Sequence, residues 1–332
     1  MIVFQNFNLT SVLKTIQTFG TLVCFFGMVI FFWIMLPDTF LTGRNILNIS
    51  QQMSMLAITA FAMTAVMAMG DFDLSVGSMA SLAGVVAAVA FRDTGSVFFG
   101  VSLAIAVGLL GGAFNGLLVS YLGILPFVAT LGTLTIFSGL AFVISGGKTI
   151  FGADIPEQFS GFAKGGIPLW SSNDQYLHLP NLTILAMLAL IILWVILEKL
   201  VFGRHVYAMG GSSEAARLAG INVRFTRMVG FCITGLGAAT AGLMYASRVA
   251  SANPTQGSGL MLDAIAAVFL GMTIGRHGEP RVLYTLVGIL IIGVLSNGLT
   301  QMSVDSYIRD ILIGTIIILS VAAGSIAKLV RN

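Results

Sequence analysis

The sequence predicts an all-α integral membrane protein, a polytopic bundle of about ten transmembrane helices forming one domain over 1–332. Three observations lead there. Hydrophobic residues make up 57% of the 332 positions and charged residues only 9%, against roughly 25% charged in soluble domains. So few charges cannot cover a water-facing surface, so lipid must surround most of the chain. The apolar residues fall in long runs, and a helix needs ~20 of them to cross hydrocarbon. Glycine is abundant at 39 residues and proline scarce at 7, which suits helices whose backbones approach closely inside lipid.

The expected spans lie near 18–36, 52–70, 74–91, 97–120, 124–145, 181–198, 228–249, 261–275, 282–300 and 308–327. The run at 261–275 is short, and 74–91 carries Ser75, Gly77, Ser78 and Ser81 near its start. Either fits a broken or re-entrant segment shielded by protein. Ten spans put both termini on one side. With the N-terminus inside, ten Lys and Arg fall inside and six outside, so the positive-inside rule places both termini in the cytoplasm.

Two loops are long. The outside loop, 146–180, mixes Gly, Pro, aromatic and acidic residues, while the inside loop, 199–227, is basic. A weak internal echo links Gly111 to Leu117 with Gly293 to Leu299, centred on Asn115 and Asn297. Two four-helix halves, 52–145 and 228–327, would fit the internal repeats of many transporters.

Three stretches carry chemistry. Met69-Gly70-Asp71-Phe72-Asp73-Leu74-Ser75 joins two apolar runs. Carboxylates at membrane depth are costly without donors or water, so Asp71, Asp73 and Ser75 line a transport path, cap the helix beginning near Leu74, or do both. In the inside loop, Gly210-Gly211 reads as a breaker, Ser212 or Ser213 as a cap and Glu214 as a first-turn acid. Ala215, Ala216, Arg217 and Leu218 then continue a helix that Gly220 stops. Under two turns, it is too short to stand alone in water and fits one held by a partner. The third stretch is the turn-rich segment 251–259 leading into Asp263, either an acid at the membrane edge or a helix cap.

Other chemistries find no support. Ser145-Gly146-Gly147-Lys148-Thr149 resembles the end of a P-loop, but Phe142 stands where the upstream glycine is required. No ATP site is therefore expected in this chain. His178, His205 and His277 sit in separate loops without ligand spacing, so no metal site is expected. Cys24 and Cys232 lie in apolar runs and read as small hydrophobes. No catalytic constellation or aromatic-interleaved basic patch appears, so neither an enzyme nor a nucleic-acid binder is expected.

On these residues the sequence resembles the permeases of bacterial monosaccharide ABC importers, the ribose, arabinose, xylose and galactoside type, from about Asn45 to Ala327. The resemblance rests on Asp73 to Ser78, Pro126 to Gly132, Ala208 to Gly211, Glu214 to Val223 and Leu262 to Val268. It implies a type II-like ABC importer permease that moves a monosaccharide, arabinose- or ribose-like, across the bacterial inner membrane. It also implies a second permease copy (homodimer or heterodimer), a separate ABC ATPase subunit holding ATP and Mg, and a periplasmic sugar-binding protein. The short helix around Ser213 to Gly220 then looks like the helix that couples to the ATPase, with Gly210, Gly211, Ser213, Glu214, Ala215, Ala216, Arg217, Leu218 and Gly220 as coupling residues. Asp71, Asp73, Ser75, Asn115, Asp263 and Asn297 are the expected path residues. An ion-coupled secondary transporter is the alternative that the edge acids permit.

Overall fold

The apolar runs fold as helices, with polar caps deciding where each begins. The computed structural model describes residues 9–172, 175–275, 278–315 and 318. Its elements are α1 (Leu9–Met35), α2 (Gly43–Ala68), α3 (Val76–Thr94), α4 (Val97–Ser120), α5 (Pro126–Ser145), β1 (Ile150–Phe151), α6 (Glu157–Lys164), β2 (Gly166–Ser172), β3 (Gln175–Pro180), α7 (Asn181–Glu198), α8 (Val201–Gly211), α9 (Ser213–Leu218), α10 (Val223–Val249), β4 (Ser251–Ala252), α11 (Leu260–Met272) and α12 (Val282–Gln301). Residues 306–315 are helical as well. Most of the expected span at 308–327 lies outside the described residues.

Seven described helices, α2, α3, α4, α5, α7, α10 and α12, are long and apolar enough to cross a membrane. Two expected boundaries shift for the same reason. α2 begins at Gly43 rather than 52, because Thr42 accepts the Asn45 N–H at 3.2 Å and the polar first turns stay helical. α10 begins at Val223 rather than 228, with Asn222 accepting the Phe225 N–H at 3.1 Å. A cap starts a helix wherever its oxygen meets an orphan N–H, before the apolar run does. α11 has 13 residues, about 20 Å of helix against ~30 Å of hydrocarbon, so it crosses only part of the way.

Burial separates centre from rim. α2 and α3 bury 78% of their apolar windows, whereas α4, α5 and α7 bury 28% and turn Leu110, Val143 and Ile191 outward. The centre is closed by glycine. A Cβ on Gly108 would stand 2.6 Å from the Gly235 carbonyl oxygen, and one on Gly112 2.3 Å from that of Phe231. α4 and α10 therefore touch backbone to backbone, a contact that makes dispersion attraction the main adhesive in lipid.

One end of the bundle carries α8 and α9; the opposite end carries α6, the antiparallel β2–β3 hairpin and the short β1–β4 pair. Two irregular segments enter the bundle from these opposite ends. The turn 69–75 rises from the α9 end, since Asp71 meets Arg227 near the start of α10 while Asp73 reaches Thr234 two turns further in. The segment 250–259 descends from the hairpin end until the Gly257 N–H donates to Ser81 Oγ at 2.8 Å.

Candidate functional site

The turn 69–75 carries three buried polar side chains, Asp71, Asp73 and Ser75, at the α9 end. Gly70, at φ +82°, reverses the chain after α2 in a conformation that costs glycine little. Asp71 is then placed against α10, with its Oδ2 2.7 Å from Arg227 Nε. Neither atom has a well-directed hydrogen bond, so charge attraction between a buried carboxylate and a mostly buried guanidinium holds the contact.

Asp73 is buried at 1% exposure. A carboxylate in that position must be supplied with donors, and it is. Its Oδ1 accepts the Ser75 N–H at 3.0 Å and the Ser75 hydroxyl at 2.6 Å; its Oδ2 accepts the Thr234 hydroxyl at 2.7 Å. Asn115 on α4 donates to Ser75 Oγ at 2.8 Å, and Thr133 on α5 donates to Asn115 Oδ1 at 2.7 Å. One connected network thus ties the start of α3 to α4, α5 and α10. It brings together Asp73, Ser75 and Asn115, with Asp71 beside it. Neither carboxylate caps α3 as expected: Asp73 accepts the Ser75 N–H, one residue before the helix begins at Val76, and Asp71 pairs with Arg227.

The other two expected path residues stand elsewhere. Asp263 lies in the first turn of α11 and is partly buried. Asn297 lies near the hairpin end of α12, hydrogen-bonded to Asn45 and Gln301. The two Asn-Gly-Leu segments therefore sit at opposite ends of the bundle.

The 199–227 loop folds as two helices, not one. The break expected at Gly210-Gly211 falls at Ser212 instead, which is extended at φ −161°. α8 runs through both glycines because Gly210 is a contact point: a Cβ there would come 2.1 Å from the Ala68 carbonyl oxygen at the end of α2. α9 matches its expected form. Ser212 accepts the Ala215 N–H at 3.2 Å, Glu214 pairs with Arg217 at 2.6 Å, and Gly220, at φ +85°, ends the helix. Ala216 is buried beneath it, while Glu214, Arg217 and Leu218 face outward. The Glu214 carboxylate raises the Arg217 pKa through that bond.

α8 is braced by a second cluster. Glu198, at the end of α7, accepts from Tyr207 Oη at 3.0 Å and from Arg281 at 2.7 Å. The Arg281 guanidinium also lies 5.1 Å from the Tyr207 ring centre. Burial, then the Glu198 charge, pushes the Tyr207 phenol above its usual range.

Arg227, Thr133, Thr234 and Gln301 were not singled out from sequence. A lone Thr in an apolar helix carries no signal of the carboxylate it faces. Arg227 offered a faint one, as a cation at the edge of an apolar run. Among the described residues no group of His, Cys, Asp or Glu is placed to hold a metal ion.

A glycine-closed bundle with seven described helices able to cross a membrane, and with buried polar turns inside it, is the architecture of a multi-pass membrane protein. The comparisons with known proteins give the family. Residues 45–321 match the family described as the branched-chain amino acid transport system / permease component. The chain is 38% identical to the ribose import permease protein of Bacillus subtilis (strain 168), over 92% of each chain. It is 36% identical to the ribose import permease protein of Escherichia coli (strain K12), over 86% of this chain and 87% of that one. To the L-arabinose transport system permease protein of the same strain it is 34% identical, over 91% and 89%. No solved structure matches the chain. The chain belongs to this permease family, the membrane subunits of ABC importers. Membership sets aside the ion-coupled transporter, and it makes the chain a transport subunit rather than an enzyme.

Proposed function

We propose that the chain translocates a monosaccharide of the ribose or arabinose type across the bacterial inner membrane. The carrying observation is the match, over nine-tenths of both chains, to a ribose import permease. The family description names branched-chain amino acids, but the individual relatives matched along their length carry ribose, allose and arabinose in their names. Sugar is therefore the favoured cargo.

In this reading a separate ATPase binds ATP and Mg and seats α9 in a cleft. The outward Glu214, Arg217 and Leu218 support that docking role. A sugar-binding protein delivers cargo at the hairpin end, and a second permease copy completes the path. The α9 end faces the cytoplasm together with both termini, as the charge distribution of the loops favours. The 52–145 and 228–327 stretches are proposed as inverted halves of one ancestral unit, which places Asn115 and Asn297 at opposite ends.

Reconstitution tests the function. Proteoliposomes holding this chain, its ATPase and its sugar-binding protein should accumulate labelled ribose or arabinose only with ATP. Uptake by the chain alone, driven by a sodium or proton gradient, would overturn it.

A further inference from the structure

At the hairpin end, the α1–α2 connection, the first turns of α2 and the last turn of α12 enclose an open cleft of about 420 Å³. Its lining includes Asp38, Arg44, Asn45, Asn48, Asn297 and Gln301, and every lining residue is polar. Polar-only lining sets this cleft apart, since small-molecule sites are lined mostly by apolar side chains. The floor is a chain of side-chain amides with fixed directions. Asn45 Nδ2 donates to the Phe40 carbonyl at 2.8 Å, a group that can only accept, so the Asn45 amide cannot be turned round. The same nitrogen donates to Asn297 Oδ1 at 3.0 Å, and Gln301 Nε2 donates to that oxygen at 2.8 Å. Thr39 then donates to Gln301 Oε1 at 2.7 Å.

This order leaves two groups over. Asn45 Oδ1 can accept, and Asn297 Nδ2 can donate. Both residues are 8% exposed and both line the cleft. We infer that this cleft is a sugar-binding site of the permease itself, with the Asn45 oxygen and the Asn297 nitrogen reading neighbouring hydroxyls. A hydroxyl both donates and accepts, so a vicinal diol matches an acceptor beside a donor. One Asp and one Arg on the rim offset each other, which favours a neutral ligand over an anion. With no apolar wall, a branched aliphatic side chain gains nothing here. The inference rests on the proposed sugar cargo and adds where the cargo first meets this chain.

The test places a reporter on the rim. Asn48→Cys, in a Cys24→Ser, Cys232→Ser background, is labelled with a membrane-impermeant maleimide in proteoliposomes holding the permease and its ATPase, before the sugar-binding protein is added. Ribose or arabinose should slow labelling, by roughly tenfold at about ten times its dissociation constant, while leucine should not. Asn297→Asp keeps the acceptor that Asn45 and Gln301 need but removes the donor, and should abolish the protection. An unchanged labelling rate with ribose, arabinose and allose would overturn the site, as would protection by leucine alone. Only the Asn297→Asp arm needs a variant of the amide chain to fold; the protection and its ligand order do not. ATP-driven uptake by the same proteoliposomes separates the two claims: uptake without protection removes the site alone, and absent uptake removes the function.

Discussion

Asp71 Oδ2 and Arg227 Nε lie 2.7 Å apart, joining the turn after α2 to the beginning of α10. Asp71 is 7% exposed and Arg227 21% by side chain. Removing one partner leaves the other's charge in a mostly dry place. Exposed pairs are worth up to about 1 kcal/mol and the breaking of fully buried ones costs about 3–5 kcal/mol, so Asp71→Asn or Arg227→Gln should cost about 2 kcal/mol. Thermal unfolding in detergent checks this. The double variant should lose less than the two single losses combined; strict additivity would show that the pair is not coupled.

Asp73 accepts three donors and has none to give. Asp73→Asn can keep its oxygen on the two Ser75 donors and turn its amide nitrogen to Thr234, whose hydroxyl then accepts while giving its proton to the Phe231 carbonyl. The expected loss is about 1 kcal/mol, smaller than the loss of about 1–3 kcal/mol from Thr234→Val, which leaves a buried carboxylate oxygen without its donor. The unfolding temperatures of the two variants, measured side by side, decide the order.

The α4–α10 seam makes a sharper forecast. Gly112→Ala must push the helices apart, because the new Cβ would stand 2.3 Å from the Phe231 carbonyl oxygen, at a cost of about 1–3 kcal/mol. Gly132→Ala on α5 meets nothing within 4 Å and should be neutral or gain about 0.5–1 kcal/mol of helix stability. Yields of folded protein by size-exclusion chromatography should separate the two.

Glu214→Lys tests α9. Glu214 and Arg217 are both about two-thirds exposed, so the fold should stand, and membrane insertion should be normal. Co-purification of the ATPase and the ATPase activity stimulated by the binding protein should fall. No change in either would remove α9 from the coupling role.

Tyr207 predicts an alkaline limit. Its phenol is held protonated above the usual 10.0 by burial and by the Glu198 charge. The contribution is intact below about pH 10, where the unfolded phenol is also protonated, and shrinks as the unfolded chain ionises above it. Tyr207→Phe should therefore lose less stability than the parent chain between about pH 9 and 11, as thermal melts across that range will show.

How far the sequence reached depended on the kind of force involved. α4 and α7 begin and end where their apolar runs do, because both turn most of their surface to lipid. α9 was legible too, since a cap, an acid and a terminal glycine act within a few residues of one another. α8 was not, because Gly203 and Gly210 are required by contacts with the end of α7 and with Ala68, neither of which a local pattern shows. The same holds for the polar sites. Asp73 was visible as a costly carboxylate at membrane depth and Asn115 as the centre of an internal echo, but Thr133 and Thr234 complete their network from far along the chain. Asn297 and Asp263 shared a chemical type with that group and not its place.

The glycine seam between α4 and α10 has a consequence for how the protein is made. Gly112 is synthesised more than a hundred residues before Phe231, an interval on the order of ten seconds at ribosomal rates of about 5–20 residues per second. Throughout it, α4 sits in the bilayer with its glycine face bare. Lipid tails or an insertion factor must occupy that groove and then leave when α10 arrives. Assembly of this bundle therefore includes a displacement step late in translation, and a mutation that makes the groove stickier to lipid would slow biogenesis without altering the finished structure.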